Sequence, residues 1–184
     1  KVRNEFEFVA PNLDNTMEHS TKKIGMMFTL GGWILGFLLL ALGFSRILEH
    51  QANPNQSVDS SDNNNFSQIT LTRNRQGHYV FDGEINQKSV TFLVDTGATI
   101  TSIPAHFQDH LKLIRGPAFL VSTANGSATA YQTGLNELKM GTIVLNNVKA
   151  SLNPGLSDIL LGMNVLKNME LIQRGKQLII RQYH

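Results

Sequence analysis

The clearest hydropathy pattern in the chain is one uninterrupted apolar run near its start. Residues 24–44 contain no charged side chain and are rich in Leu, Phe, Gly and Met. A helix needs about 20 apolar residues to cross a bilayer core, so the run predicts a transmembrane helix over residues 24–45. A cleaved signal peptide is the alternative, because Ala41 and Gly43 offer small residues for cleavage. The retained helix is favoured, since signal peptides have shorter apolar cores behind a short leader, and here at least 23 residues come first.

Basic residues around the apolar run predict its orientation. Lys22 and Lys23 adjoin its amino-terminal end, and only Arg46 lies close to the other end. Cytoplasmic flanks carry the excess of Lys and Arg, so residues 1–23 are predicted to be a cytoplasmic tail of a single-pass inner (cell) membrane protein. The larger carboxy-terminal part is then periplasmic or otherwise extracytoplasmic.

A polar segment follows the apolar run. Residues 46–67 are rich in Asn, Gln, Ser and Asp and contain Pro54, which discourages a helix. Such a composition buries little apolar surface. The segment is therefore predicted to be a flexible linker, and residues 68–184 are predicted to be the folded domain.

Short apolar and alternating runs, separated by Gly and Asn, dominate the folded domain. Alternation with a period of two is typical of strands, and Asn and Gly are typical of the turns between them. Two short helices are predicted over residues 105–111 and 162–166. The fold class is therefore mostly β around one small core, with strands predicted at residues 78–85, 89–94, 119–122, 128–140, 142–145, 148–152, 169–173 and 177–181.

Composition excludes several kinds of chemistry. The 184 residues include no cysteine, so a disulfide framework, a thiolate zinc site and a thiol nucleophile are all ruled out. The formal net charge is only +2, and no basic stripe with interleaved aromatic residues is present. Nucleic acid is therefore not an expected partner, and no cofactor is expected.

The run from Phe92 to Thr99 places a carboxylate, Asp95, where an apolar strand breaks into a turn. Burial near a carboxyl group penalises its ionised form, which suits proton chemistry. Thr96 can hydrogen-bond the turn, and Gly97 allows the chain to double back beside the carboxylate. The same residues could simply terminate a strand, so catalysis and a structural role both stay open on this motif alone.

Two further segments follow in a telling order. Residues 123–126 have the composition of a β-hairpin tip, and residues 159–162 form an apolar strand that ends at a glycine. The order of an Asp-Thr-Gly strand, a hairpin and an apolar pair before glycine and a short helix resembles the retropepsin-like family of retroviral-type aspartic proteases. With the apolar run in front, the chain is similar to a bacterial, membrane-anchored branch of that family.

The resemblance implies a role for each motif residue. Asp95 would be the catalytic aspartate, and the rest of its loop would support it, with Thr96 bracing the two loops across a dimer axis. A flap would close over the substrate, and the second apolar strand would support the Asp95 loop from beneath. Met163 is a departure, because retroviral enzymes usually carry Arg there. The implied groups are the loop Thr96, Gly97, Ala98 and Thr99, the flap Thr123, Ala124, Asn125 and Gly126, and the support Leu160, Leu161 and Gly162.

Aspartic proteolysis needs two carboxylates that share one proton, and the chain contains a single Asp-Thr-Gly. A homodimer with one Asp95 from each copy supplies both. The expected function is a membrane-anchored aspartic endopeptidase that acts on a peptide or protein substrate. A catalytically inactive retropepsin-fold module for dimerisation or peptide binding is the alternative.

Rival sites are less favoured. His106 and His110 have metal-compatible spacing, but Phe107 stands where a zinc protease needs glutamate, so no metal site is predicted. Asp82, Glu84 and Asp158 are interpreted as surface or turn residues.

Overall fold

The computed structural model describes residues 14–123 and 126–184. The described residues form two compact units, with the boundary between Arg46 and Ile47. The long helix α1 covers Asp14–Ala52, and its part from Met26 to Ala52, 27 residues, is long and apolar enough to cross a membrane. The prediction of one apolar amino-terminal helix is thereby confirmed.

Polar side chains inside the apolar part of α1 are satisfied within the helix. The hydroxyl of Thr29 donates to the Met26 carbonyl at 2.9 Å, and that of Ser45 donates to the Ala41 carbonyl at 2.9 Å. Hydrocarbon offers no partner for a free hydroxyl. The large apolar side chains are exposed over this stretch, a surface that suits lipid.

Two sheets make up the second unit. The smaller sheet is antiparallel, in the order β1-β2-β11-β10, and the larger has the order β3-β4-β9-β5-β8-β7-β6. A second pairing of β3 with β7 closes the larger sheet into a barrel. The strands are β1 Asp59–Asp62, β2 Phe66–Thr72, β3 Val80–Ile85, β4 Lys88–Val94, β5 Thr101–Pro104, β6 Ala118–Thr123, β7 Gly126–Met140, β8 Ile143–Asn153, β9 Ile159–Leu161, β10 Glu170–Arg174 and β11 Gln177–Tyr183.

Helical structure in this unit is brief. A 3-10 turn covers Ala105–Phe107, and the short helix α2 covers Met163–Leu166. The predicted helix over residues 105–111 thus shrinks to one 3-10 turn that ends at Phe107; residues 108–112 form turns, and Lys112 adopts φ 54°. The mostly β fold class is confirmed.

One core joins the two sheets. Alternate residues of β2 and β11 bury Ile69, Leu71 and Ile180 in the same cluster as the barrel residues. Phe81 and Phe92 lie on adjacent strands and stack with ring centroids 5.2 Å apart. Aromatic pairs of this kind add to the stabilisation from buried area, and this pair lies directly below the strand end that carries Asp95.

The structure differs from the predicted flexible linker, residues 46–67, because α1 extends to Ala52, β1 covers Asp59–Asp62 and β2 begins at Phe66. Asn55 is 5 % exposed; its Nδ2 donates to the carbonyls of Thr72 and Val80, and its Oδ1 accepts from the Thr72 N–H. Asn53 donates to Asp82, and β1 pairs with β2. These polar side chains supply hydrogen-bond partners to backbone groups that would otherwise have none. In the sequence, such residues look the same as polar residues that are simply exposed to water.

The expected turn at Asn146 and Asn147 lies inside a strand. β8 is continuous over Ile143–Asn153 and pairs with β7 on both sides of this point. Asn147 adopts φ 55°, a conformation that Asn tolerates better than most residues. The strand therefore absorbs the irregularity without ending.

Candidate active site

Asp95 lies directly after β4, at the point where that strand leaves the barrel. β4 pairs in parallel with β9, with Val94 opposite Leu161. The pairing continues one residue further, because the Asp95 N–H donates to the Leu161 carbonyl at 3.1 Å. The second apolar strand thus positions the backbone of the acid.

A tight turn orients the Asp95 side chain. The Gly97 N–H donates to Asp95 Oδ1 at 2.8 Å, and the Ala98 N–H donates to the Asp95 carbonyl at 3.3 Å. A Cβ at position 97 would lie 3.1 Å from Asp95 Oδ1, closer than side chains normally pack. Among the described residues, the other carboxylate oxygen has no hydrogen-bond partner, so it is available to a water molecule or a second carboxyl group.

The start of α2 holds the far side of the loop. The Met163 N–H donates to the Ala98 carbonyl at 2.8 Å, and the Asn164 N–H donates to the Thr99 carbonyl at 3.1 Å. Gly162 makes this approach possible, because a Cβ there would lie 2.5 Å from the Ile100 carbonyl carbon. The three residues Leu160, Leu161 and Gly162 therefore lie alongside the Asp95 loop.

Asn164 connects three chain segments at this point. Its Oδ1 accepts from the N–H and the hydroxyl of Thr101, at 2.7 and 3.0 Å, and its Nδ2 donates to the Lys149 carbonyl at 2.7 Å. Thr101 is fully buried, and its hydroxyl oxygen in turn accepts from the Gly162 N–H at 3.3 Å. No role for Asn164 was predicted from the sequence. The available signal was a carboxamide at the start of a short apolar helix, where Asn commonly bonds backbone.

An open cleft of about 890 Å³ lies over the Asp95 loop. Strand β6 forms the opposite wall, and Asp95 is the one carboxylate among the lining residues. Much of the wall is apolar, which suits the side chains of an extended peptide. The lining consists of Asp95, Gly97, Ala98, Thr99, Ile100, Ser102, Phe119, Leu120, Val121, Ser122, Asn153, Leu156 and Leu160.

The predicted flap coincides with the end of the β6–β7 hairpin. These strands pair from Ala118 opposite Tyr131 to Thr123 opposite Gly126, and Gly126 adopts φ 109°. Ala124 and Asn125 lie outside the described residues. Because β6 also lines the cleft, the hairpin and the Asp95 loop face the same space.

The rival residues lie elsewhere or have structural partners. Asp82 accepts hydrogen bonds from Asn53 and Thr91, and Glu84 pairs with Lys139 at 3.1 Å. Asp158 accepts from the neighbouring Ser157 hydroxyl and does not line the cleft. His106 and His110 are exposed, and within residues 14–123 and 126–184 no three His, Asp or Glu side chains cluster as metal ligands would.

Comparison with known proteins identifies the domain. The family model described as gag-polyprotein putative aspartyl protease matches residues 81–168, which include the Asp95 loop and α2. The crystal structure of a retropepsin-like aspartic protease from Rickettsia conorii superimposes with a TM-score of 0.52 at 25% identity, covering 69% of this chain and 96% of that one. The folded domain has the retropepsin-like fold.

Two curated bacterial proteins are similar to most of the chain. An uncharacterized Sinorhizobium protein, from the cobV 5′ region, is 30% identical over 138 residues, which are 71% of this chain and 58% of that protein. The uncharacterized protein RP867 of Rickettsia prowazekii is 28% identical over 167 residues, covering 85% of this chain and 71% of that protein. The chain therefore spans less than two thirds of the Sinorhizobium protein.

Proposed function

We propose that this chain is a membrane-anchored aspartic endopeptidase whose catalytic pair consists of Asp95 from two copies. The observation that carries the proposal is the single carboxylate in a peptide-sized, largely apolar cleft. One carboxyl group cannot both remove a proton from water and protonate the scissile carbonyl in the same step. A second copy on a two-fold axis supplies the missing group without any further residue.

The reaction follows from two carboxyl groups that share one proton. The ionised carboxylate accepts a proton from a water molecule held between the pair, while the protonated one donates its proton to the carbonyl oxygen of the peptide. The water oxygen bonds to the carbonyl carbon and gives a neutral tetrahedral diol. The diol then collapses: the carboxyl group that is now protonated donates its proton to the amide nitrogen, the other carboxylate takes a proton from a diol hydroxyl, and the C–N bond breaks to give an amine and a carboxylic acid. No covalent enzyme intermediate forms.

The loop residues have supporting roles in this proposal. The hydrogen bond from Gly97 to Asp95 Oδ1 orients the carboxylate towards the cleft. Thr96 is exposed beside it, where its hydroxyl can brace the partner loop across the axis. The hairpin at residues 123–126 closes over the bound peptide. Leu160, Leu161 and Gly162 keep the loop in place.

Anchoring supports pairing. The apolar part of α1 is proposed to hold the chain in the inner membrane with residues 1–23 in the cytoplasm and the protease domain outside it. Gly32 and Gly36 have the small-residue spacing that lets two membrane helices approach closely. Confinement to one bilayer also raises the effective concentration of one domain near another.

A mixing experiment tests both the acid and the pairing. The full chain, reconstituted in detergent, is assayed on casein at mildly acid pH, beside its Asp95→Asn variant. We expect the variant to be inactive. When the two are mixed in equal amounts and allowed to exchange subunits, a site that needs two Asp95 carboxylates leaves roughly a quarter of the activity, because that is the fraction of fully native pairs.

Three results would overturn the proposal. Activity in the pure variant would show that Asp95 is not the catalytic acid. Retention of half the activity in the mixture would show that each chain works alone. No cleavage by the native chain at dimer-forming concentrations would leave the non-catalytic dimerisation or peptide-binding module as the explanation of the fold.

A further inference from the structure

Three cations meet on one surface of the second unit. The loop between β2 and β3 carries Arg73 and Arg75, and the turn between β10 and β11 carries Lys176. They surround an open depression of about 680 Å³ that contains no acidic side chain. We call these three residues the basic surface. The rest of the lining is polar and uncharged, and consists of Gln51, Asn74, Gln76 and Gly77.

Backbone contacts hold the basic surface together. The Arg73 N–H donates to the Lys176 carbonyl at 2.8 Å, which joins the two turns. Asn74 is 8 % exposed, and its Oδ1 accepts from the N–H groups of Gln76 and His78. The loop is therefore fixed by its own side chain. Among the described residues, none of the three cations has an ion-pair partner, so their charges remain available.

The same loop contacts the last turn of α1. The Arg75 guanidinium donates to Gln51 Oε1 at 3.2 Å, and Asn74 Nδ2 donates to the Ala52 carbonyl at 2.9 Å. Gln51 and Ala52 belong to the same compact unit as the basic surface, and Ala52 ends α1, eight residues beyond Phe44, the last residue of the apolar run. The basic surface therefore lies next to the carboxy-terminal end of α1.

We infer that Arg73, Arg75 and Lys176 bind the headgroups of anionic phospholipids in the leaflet from which α1 emerges. The inference rests on the membrane anchoring in the proposed function. The eight helical residues beyond the apolar run rise about 12 Å, close to the Debye length of about 10 Å over which an anionic surface attracts cations. Each basic residue near such a surface strengthens attachment roughly fivefold, so three cations without an ion-pair partner among the described residues favour attachment of this face to the leaflet.

The absence of cysteine makes a specific test possible. The Gln76→Cys variant has a single thiol, within the depression. The full chain is placed in nanodiscs of phosphatidylcholine, alone or with about one third phosphatidylglycerol, and the thiol is labelled with an uncharged polyethylene glycol maleimide. A third sample contains phosphatidylcholine with added inorganic phosphate. We expect labelling to slow at least about fivefold with phosphatidylglycerol and to stay unchanged with phosphate.

Matched charge changes identify the residues responsible. Arg73→Gln, Arg75→Gln and Lys176→Gln together should abolish the lipid effect on labelling. Lys88→Gln, Lys112→Gln and Lys167→Gln together remove the same charge from exposed positions on other elements, and should preserve it.

The possible outcomes distinguish failure of lipid binding by the basic surface from failure of the proposed membrane anchoring. A chain that does not enter nanodiscs overturns both. A chain that enters but is labelled equally fast in both lipids overturns the basic surface alone. Equal slowing by phosphate would make it a site for soluble phosphate, and equal loss in both triple variants would make the effect one of overall charge.

Discussion

Replacing Gly162 with Ala should show whether this position requires glycine for close packing or for its backbone conformation. Gly162 adopts φ −92° and ψ 174°, a conformation that alanine accepts without strain. Its hypothetical Cβ would nevertheless lie 2.5 Å from the Ile100 carbonyl carbon and 2.7 Å from both the Ile100 oxygen and the Thr101 nitrogen. All three are backbone atoms, so no side chain can rotate out of the way.

The magnitude follows from how far the chain must move. Carbon atoms pack comfortably at about 3.5–4.0 Å, so the two segments must separate by roughly 1 Å. Such overpacking costs typically about 1–3 kcal/mol. The shift also weakens the hydrogen bond from the Gly162 N–H to the Thr101 hydroxyl, which contributes about 1 kcal/mol. We therefore expect a loss of about 2–4 kcal/mol, which lowers the midpoint of unfolding by roughly 10 °C.

The Gly162→Ala variant should also lose casein-cleaving activity, even at temperatures where it is still folded. Met163 and Asn164 donate to the carbonyls of Ala98 and Thr99, so displacement of Gly162 moves the turn that carries Asp95. A misplacement of about 1 Å near a reacting group can reduce the rate by about 100-fold. The assay is calorimetric unfolding of the full chain in detergent, together with casein cleavage at a temperature where the variant is still folded.

Gly134→Ala is the matched control. Gly134 lies inside β7, and a Cβ there would meet nothing within 4 Å. Its alanine variant should be neutral or more stable by about 0.4–1 kcal/mol, because the unfolded chain loses freedom. If the two variants unfolded at the same temperature and cleaved casein equally well, the close approach at Gly162 would not matter and the reasoning would be refuted.

Three further predictions concern the polar groups. Asn164→Leu should lower the free energy of unfolding by about 3 kcal/mol, since three hydrogen bonds are lost. The control Asn168→Leu, at an exposed position, should change that free energy by less than about 0.5 kcal/mol. Equal denaturation midpoints for the two variants would contradict this prediction. Contacts with the Ser67 hydroxyl and then with His184 hold the pKa of the Asp62 carboxyl below its ordinary value of 3.8. The stabilisation of the folded state by the ionised Asp62 is therefore complete above pH 3.8, and it is lost as the pH falls through the lower pKa of the folded protein. An NMR titration should show that pKa rising in Ser67→Ala, and an unchanged value would refute the assignment. Casein cleavage should follow a bell-shaped pH profile set by the carboxyl pair as a unit, and a flat profile would contradict a shared proton.

Local patterns predicted those parts of the fold that depend on neighbouring residues. The strand expected at residues 89–94 is β4, Lys88–Val94, and the hairpin loop before it uses Asn86 and Gln87 at φ 50° and 63°. Period-two burial and turn residues with positive φ are properties of a few consecutive positions. They can therefore be read without knowledge of the rest of the chain.

Contacts between distant segments could not be predicted in this way. The parallel pairing of β4 with β9 joins residues more than sixty positions apart, and the Asn164 carboxamide joins α2 to Thr101 and Lys149. The burial of Asn55 could not be predicted either, because a buried asparagine and a solvent-exposed one look the same within a polar run of sequence. In each case the partners include backbone groups, which every residue type provides.

The positive charge of the basic surface is compatible with the predicted membrane orientation, in which Lys22 and Lys23 keep the amino terminus in the cytoplasm. The positive-inside rule counts Lys and Arg within about 15–20 residues of a span, and it acts while the chain is still inserting. Arg73 is 21 residues beyond Ala52, and Lys176 is farther still. Both come close to the end of the span only when β2, β10 and β11 pair. The predicted orientation by Lys22 and Lys23 is therefore compatible with the proposed attachment to the opposite leaflet, because folding brings these cations together only after the chain has been inserted.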